Sequence, residues 1–242
     1  MLIISDAPRK LEFKVREKLG ADIVRLENIL VDPDKLCEYA KNKVVLLRVQ
    51  NMYKLIPVTA IVCKVARKAI NSIDLVMKCI NRELLYSALS SNEIPIPKRY
   101  YVFDLCNISD VRDKVRGKTL LLTFTKSEIE GFVESPHALI SLIEHRYFMS
   151  AEDVKVNLFI PEISSYWEVL VVGREPLSYS GKLQREAEDI VNKVINVLGE
   201  GLYLVKLGRQ RENIVVLDVD PVPEIGDEYL DTVLSYLETL LH

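Results

Sequence analysis

The first fifty residues alternate short apolar runs with amphipathic stretches, and this alternation restricts the fold more than any other feature. LIIS, DIVRL and KVVLLRV have the pattern of strands, while the stretch from Pro8 to Leu19 and the segment DPDKLCEYAKN have that of helices. Gly20 is suited to end the first helix, and Asp32 is suited to cap the second. Strands that alternate with helices form a parallel sheet joined by crossover helices. The sequence therefore predicts an α/β fold that begins with a parallel sheet.

Further elements follow this first unit. Helical stretches are expected from about Met52 to Ala69 and from about Leu75 to Ser90, the second with Met77 and Leu84 on its apolar face. The prolines of IPIPK exclude helix, because they fix φ and restrict the residues before them. In the last third, LYLVKLG and NIVVLDVD are expected to pair as strands. The chain therefore continues as mixed α/β subdomains.

The composition excludes several classes of protein. With 242 residues and 49% hydrophobic content, the chain can form one or two domains with a sizeable core. Its net charge of -3 gives no general attraction to nucleic acid or to a membrane. The four cysteines form no CxxC pair, and no signal-peptide pattern or phosphate-binding GxxxxGK[ST] loop occurs. We expect a cytoplasmic protein, and the scarcity of glutamine beside abundant Lys, Glu, Ile and Val is typical of a thermophile.

A set of motifs in one order resembles the ATP-grasp superfamily. Residues 71–98 read NSIDLVMKCINRELLYSALSSNEIPIPK, which is similar to the family's Asn-Ser, helix and "giPtP" turn. VNLFIPEIS at 156–164 resembles the hinge that grips adenine, and WEVLVVGREPLSYSG at 167–181 resembles the paired strands after it. NIVVLDVDPVPEI at 213–225 resembles the metal-binding strand and its exit turn. Within this superfamily, the chain resembles the RimK/LysX group of ligases.

This resemblance implies both a fold and an activity. The fold is ATP-grasp, an α/β fold with α+β subdomains, preceded by a Rossmann-like pre-ATP-grasp domain. The domains would be residues 1–72, a central lid-like subdomain at 73–155 and a C-terminal subdomain at 156–242 that carries the metal-binding strand. If the chain is an enzyme, the resemblance implies an ATP-dependent C–N ligase that joins an amine to a carboxylate through an acyl phosphate. The implied cofactors are ATP and Mg²⁺.

The resemblance also assigns candidate site residues. Asp218 and Asp220 lie two apart on a predicted strand, so they share a face, and they match the family's metal ligands. Arg82 stands where a lysine binds ATP phosphates, and it keeps the charge in a planar, forked geometry. Glu162 and Ile163 occupy the adenine hinge. The alternatives are a polar strand end, a surface arginine and an ordinary strand-to-loop junction.

Other positions depart from the family pattern at the phosphate end. Thr123 stands where the family has a second lysine, and the following loop, TKSEIEG, has glycine only at Gly131. A loop that cradles phosphate needs close backbone approach, which glycine permits, whereas Glu128 and Glu130 would repel a triphosphate. Lys126 is either a substitute for the missing lysine or a solvated side chain.

Two further departures affect the catalytic half. Glu168 stands where the family has an arginine that stabilises the acyl phosphate, and this reverses the charge. Lys206 stands where the family has its first metal-binding aspartate. It either neutralises phosphate without a metal or marks a lost site.

These losses set the expected function. Removing one electrostatic stabiliser can cost roughly 10²–10³ in rate, so we expect a divergent protein that binds Mg·ATP and whose ligase activity is weakened or lost. It would act as a structural or regulatory partner of other proteins. The alternatives are an active carboxylate–amine ligase and an unrelated α/β protein. Expected partners are nucleotide and a protein or amino-acid substrate or an active paralogue, but neither membrane nor nucleic acid. Homo-oligomerisation is left open, and no catalytic residue is assigned.

Overall fold

The fold is built on three separate four-stranded sheets. A computed structural model describes residues 1–26, 32–102, 108–115, 117–123, 129–149, 157–179 and 184–242. Within these ranges the strand orders are β2-β1-β3-β4, β5-β8-β6-β7 and β10-β9-β11-β12. We call them the N-terminal, central and C-terminal sheets.

The elements have the following bounds. The strands are β1 Leu2–Ser5, β2 Asp22–Arg25, β3 Val44–Arg48, β4 Lys68–Ile70, β5 Tyr100–Val102, β6 Thr119–Thr123, β7 Ile129–Val133, β8 Asn157–Ile160, β9 Ile163–Gly173, β10 Glu175–Ser178, β11 Gly201–Gln210 and β12 Asn213–Asp220. The helices are α1 Lys10–Leu19, α2 Pro33–Ala40, α3 Met52–Val65, α4 Ile73–Ile80, α5 Arg82–Ser90, α6 Ile108–Val111, α7 Pro136–Met149, α8 Arg185–Leu198 and α9 Leu230–Thr239. Short 3₁₀ turns cover Arg112–Lys114 and Asp227–Tyr229.

The N-terminal sheet confirms the predicted alternation. β1 pairs in parallel with both β2 and β3, and β3 pairs in parallel with β4. Gly20 ends α1 in the left-handed conformation, with φ 61°, and the Asp32 side chain accepts hydrogen bonds from two backbone amides at the start of α2. The chain runs from β1 outward to β2 and then back past β1 to β3. The carboxyl ends of β1 and β3 therefore flank a crevice of the kind that binds ligands in open α/β sheets.

The helical stretch predicted from Leu75 to Ser90 is two helices, because Asn81 interrupts it. The backbone of Asn81 is extended, and its side chain accepts hydrogen bonds from the first amides of α5. The predicted apolar face is therefore wrong. Met77 and Leu84 are 41% and 49% exposed. The side chains that pack inward instead are Leu75, Cys79, Leu85 and Leu89.

The C-terminal sheet holds the other units together. One of its faces packs against α4, α5 and α8. The other face joins the N-terminal sheet in a shared core, in which Leu170 and Leu204 meet Ile3 and Leu46. Helix α9 closes this core with buried leucine and valine side chains. The N-terminal and C-terminal sheets therefore share one apolar core.

A single buried side chain also bridges these two sheets. Asn71 directly follows β4, and its amide nitrogen donates to the carbonyls of Leu202 at 2.8 Å and Pro221 at 2.7 Å. Its amide oxygen accepts from the Leu202 N–H at 2.7 Å. Gly201 lies against it, since a Cβ at that position would come within 2.3 Å of Asn71 Oδ1. Asn71 therefore fixes the start of β11 beside the exit from β12.

Candidate functional site

Arg82 and Asp218, which the sequence assigns to phosphate and metal, form a buried ion pair with each other. Arg82 is the first residue of α5, and its Nη2 lies 3.1 Å from Asp218 Oδ2 on β12. Their side chains are 2% and 0% exposed. The other carboxylate oxygen, Asp218 Oδ1, has no hydrogen-bond partner among the described residues. The two charges therefore neutralise each other inside the protein.

Helix α5 brings Arg82 to β12 because the next helical turn is anchored there. Tyr86 is fully buried, and its hydroxyl donates to the carbonyl of Leu217 at 2.8 Å. Burial raises the pKa of this phenol, so the hydroxyl stays a donor. The edge of β12 is thus covered by α5, and Arg82 enters beside Asp218.

Asp220 lies at the end of β12 and has a different environment. Its Oδ1 accepts from the Val222 N–H at 2.8 Å. Burial raises the pKa of the Asp220 carboxyl, while the Val222 N–H and the charges of Lys206 and Arg48 oppose that rise. Asp220 faces a pocket rather than Arg82. The two aspartates of the sequence motif therefore have separate partners.

A pocket of about 220 Å³ lies where the N-terminal and C-terminal sheets meet. Its lining residues are Arg9, Gln50, Met52, Lys206, Asp220, Val222 and Glu224. Arg9 follows β1 and Gln50 follows β3, so one wall is the crevice at the carboxyl ends of these strands. The opposite wall comes from β11 and from β12 with its exit turn.

The polar side chains of the first wall hold one another. Arg9 forms an ion pair with Glu224, and its Nη2 donates to Gln50 Oε1 at 2.9 Å. The Asp6 carboxylate accepts from the backbone N–H groups of Gln50 and Asn51 at 3.1 and 2.9 Å. Sequence reasoning missed these pocket residues. The predicted parallel sheet was the signal that could have found them, because ligands bind at the carboxyl ends of strands where the strand order reverses.

The predicted adenine hinge lies at the junction of β8 and β9. The Ile163 N–H donates to the carbonyl of Lys118 at 2.8 Å, and the Pro161 carbonyl accepts from Gln210 at 2.9 Å. Glu162 has a positive φ of 64° and forms an ion pair with Arg211, with Nε and Oε2 2.6 Å apart. These backbone groups of the hinge are therefore occupied within the protein.

An apolar cluster joins the central and C-terminal sheets. Its fully buried members are Tyr86, Leu120, Leu158, Ile160, Ile163, Val215 and Leu217. At its margin Phe132 meets Tyr166 edge-on, with ring centroids 5.8 Å apart. The Tyr166 hydroxyl donates to Glu168 Oε1 at 2.8 Å, and the pKa of this phenol is raised, first by burial and then by that carboxylate.

Comparisons with solved structures identify the fold. The chain superimposes on a RimK-domain ATP-grasp protein from Sphaerobacter thermophilus with a TM-score of 0.77, at 18% identity over 98% of each chain. The chain has the ATP-grasp fold. D-alanine–D-alanine ligase from Bacillus anthracis, solved with ATP, gives a TM-score of 0.69 at 14% identity over 99% of this chain and 94% of that one.

A third ATP-grasp protein extends the comparison. The ligase PsnB, solved with a phosphomimetic variant of its minimal precursor, Mg and ADP, gives a TM-score of 0.70 at 11% identity, over 100% of this chain and 98% of that one. No protein-family model and no curated protein sequence matches the chain. In the described part of this chain, no helix is long and apolar enough to span a membrane.

The described side chains around Asp218 do not fit a divalent cation as they are arranged. A magnesium ion needs near-octahedral oxygen ligands, but Asp218 is already paired with Arg82. Lys206 stands directly across from Asp218 in the sheet. Among the residues described, no group of three or more His, Cys, Asp or Glu side chains could hold a metal. In the part of the chain that the structure describes, Asp218 and Asp220 therefore do not complete a metal site in this arrangement, and their assignment as metal ligands stays a prediction.

The remaining sequence candidates fall mostly outside the described part of the chain. Lys126 and Glu128 are outside the described residues, as are the side chains of Thr123 and Glu130. Gly131 lies on β7 with φ 143°. The choice between a substitute and a solvated role for Lys126 stays a prediction.

Proposed function

We propose that this chain is an ATP-grasp protein that binds nucleotide weakly and does not ligate. The observation that carries the proposal is the buried ion pair of Arg82 and Asp218. A ligase that forms an acyl phosphate must stabilise phosphate charge with free cations or metal ions. Here the arginine assigned to phosphate is already neutralised by the carboxylate assigned to the metal. A phosphate tail would have to displace Asp218 in order to reach Arg82.

The fold supports nucleotide as the ligand class. Two solved neighbours that match nearly the whole chain contain ATP, or Mg and ADP. In this chain an apolar cluster joins the central and C-terminal sheets, between which a nucleotide would bind. The parallel N-terminal sheet supports the interpretation of residues 1–72 as a Rossmann-like pre-ATP-grasp domain.

A protein with these properties acts by binding rather than by turnover. We propose a structural or regulatory role in the cytoplasm, in which the partner is an active paralogue or a protein substrate. The central subdomain 73–155 and the C-terminal subdomain 156–242 would together present the bound nucleotide to that partner.

The alternative function is an active ATP-dependent carboxylate–amine ligase, and one observation favours it. The pocket beside Asp220 combines two cations, Arg9 and Lys206, with two carboxylates, Asp220 and Glu224. Such a lining complements an amino acid, which carries one charge of each sign. A ligase that retained this substrate site would need its phosphate contacts from elsewhere in the chain.

Calorimetric titration with ATP, with and without Mg²⁺, separates the two functions. If Asp218 competes with phosphate for Arg82, Asp218→Asn strengthens ATP binding. A hydrogen bond to a charged group contributes about 1.5–3 kcal/mol, so the expected gain is roughly tenfold or more. If Asp218 is instead a metal ligand in an active ligase, the same substitution weakens Mg·ATP binding.

A control and a second assay complete this test. Asp22→Asn removes an exposed carboxylate on β2 and should leave ATP affinity unchanged. The wild-type protein, mixed with ATP, Mg²⁺ and a pool of amino acids, should release no more ADP than a protein-free blank. Turnover above that blank would overturn the proposal in favour of the ligase.

A further inference from the structure

A row of charges of alternating sign crosses the C-terminal sheet beside the pocket. Lys206 on β11 is directly opposite Glu168 on β9 and Asp218 on β12. Residues directly opposite each other in antiparallel strands project from the same face of the sheet. Asp220, two residues beyond Asp218, projects from that face as well. One ammonium group therefore stands among three carboxylates.

Each of the three carboxylates already has its own partner. Asp218 pairs with Arg82, Glu168 accepts from the Tyr166 hydroxyl, and Asp220 accepts from the Val222 N–H. Lys206 is half-buried, and it forms no ion pair or hydrogen bond with any residue that the structure describes. The ammonium is therefore held in place by the sheet but is not neutralised by direct contact.

Lys206 also lines the pocket, and the other charged groups there are partnered. Arg9 is engaged by Glu224 and Gln50, so its positive charge is already matched. Lys206 thus makes no ion pair or hydrogen bond with a described residue of the lining, although its charge acts on the pKa of Asp220. A half-buried ammonium at a pocket wall favours an anionic group on whatever enters.

We infer that Lys206 is the fixed cation of this pocket, and that it binds the anionic group of a small ligand without any divalent cation. A divalent cation among these carboxylates would lie close to the ammonium and be repelled by it. These carboxylates therefore surround the Lys206 ammonium instead of a metal ion. This inference goes beyond the proposed function, since it holds whether or not nucleotide binds between the sheets.

The anion has two chemical sources, a carboxylate and a phosphate, and both accept hydrogen bonds from an ammonium. Nuclear magnetic resonance titrations with acetate and with inorganic phosphate, in EDTA, distinguish them. We expect saturable shifts of resonances at Lys206 and Asp220 in the wild-type protein for at least one of the two, and the anion with the lower Kd identifies the source. The same titrations of Lys206→Met should show no saturable shift. Equal responses in the two proteins would overturn the inference.

Manganese serves as the probe for the metal itself. In the wild-type protein, Mn²⁺ up to about 1 mM, where weak cation sites in proteins fill, should neither raise the melting temperature nor bind saturably by electron paramagnetic resonance. Lys206→Asp places a fourth carboxylate among the three. It should melt below the wild-type protein without metal and recover when Mn²⁺ is added.

Two controls separate the local effect from the change in charge. Lys193→Asp makes the same charge change on the exposed face of α8 and should not create Mn²⁺ binding. Lys206→Met removes the ammonium without adding a ligand and should not create it either. If Lys206→Asp does not fold, the wild-type and Lys206→Met proteins still decide the matter. Saturable Mn²⁺ binding by the wild-type protein at the pocket would overturn the inference, whatever the nucleotide assays show.

Discussion

At the scale of single residues, the buried pair of Arg82 and Asp218 affects the stability of the protein. Bringing two charges out of water costs free energy, and their attraction offsets that cost only when both stay paired. Both side chains are almost fully buried, and Asp218 Oδ1 has no hydrogen-bond partner within the described structure. Removing one charge of the pair is therefore expected to lower the free energy of unfolding much more than removing both charges.

Removing one charge of this pair should strongly destabilise the protein. Asp218→Leu removes the carboxylate that Arg82 contacts, and breaking a buried pair costs about 3–5 kcal/mol of unfolding free energy. The double variant Arg82→Met, Asp218→Leu should regain most of that loss, since neither charge of the pair stays buried. Urea unfolding measures both. If the double variant is as unstable as the single one, the ion pair does not set the stability of this region.

At the scale of elements, Asn81 separates α4 from α5 and so places Arg82. Its side chain caps α5 by accepting from the N–H groups of Glu83 and Leu84 at 2.9 and 3.3 Å. Without the cap, residues of α4 and α5 could form one continuous helix instead. The side chains of the second half would then point in other directions. Arg82 reaches β12 because it is the first residue of the second helix.

The cap contribution is measurable by a single substitution. Asn81→Ala should lower the free energy of unfolding by about 0.5–2 kcal/mol, because two amides of α5 lose their acceptor. Asn192→Ala, at an exposed position inside α8, is the matched control. It should be neutral or slightly stabilising, because alanine is the better helix former. Urea denaturation of both variants gives the comparison, and equal effects would show that Asn81 does not act as a cap.

The same elements show what the sequence can and cannot predict. The parallel pairing of β1 to β3, the stop at Gly20 and the cap at Asp32 follow from local pattern and were predicted correctly. The break at Asn81 was missed, because apolar periodicity continues across it. The signal for this break was the asparagine itself, since asparagine inside a helical stretch favours a helix cap. The contact of Arg82 with Asp218 joins residues 136 apart, and no local pattern encodes it.

At the scale of the whole molecule, the N-terminal and C-terminal sheets share one apolar core. Side chains of α1, β1 and β3 pack with those of β9, β11 and α9. A core that belongs to both sheets makes it costly to unfold one without exposing the other. The two sheets are therefore expected to unfold together.

This coupling can be tested with the single tryptophan. Trp167 lies on β9 against the core under α4, α5 and α8, so its fluorescence reports the C-terminal sheet. Far-ultraviolet circular dichroism reports all sheets and helices. The urea midpoints of the two signals should coincide, as expected for one cooperative transition. A circular dichroism phase that persists after the fluorescence change would show that the N-terminal sheet unfolds separately.

The contact between Asn71 and Gly201 has a consequence for how this protein can change over generations. The amide of Asn71 occupies the space that any side chain at position 201 would need. A lone substitution at Gly201 would push out the group that holds the turn carrying Asp220 and Val222, and a lone loss of Asn71 would leave three backbone groups without partners. The two positions are therefore expected to covary among descendants of this sequence. Descendants that keep both Asn71 and Gly201 are expected to keep this pocket wall.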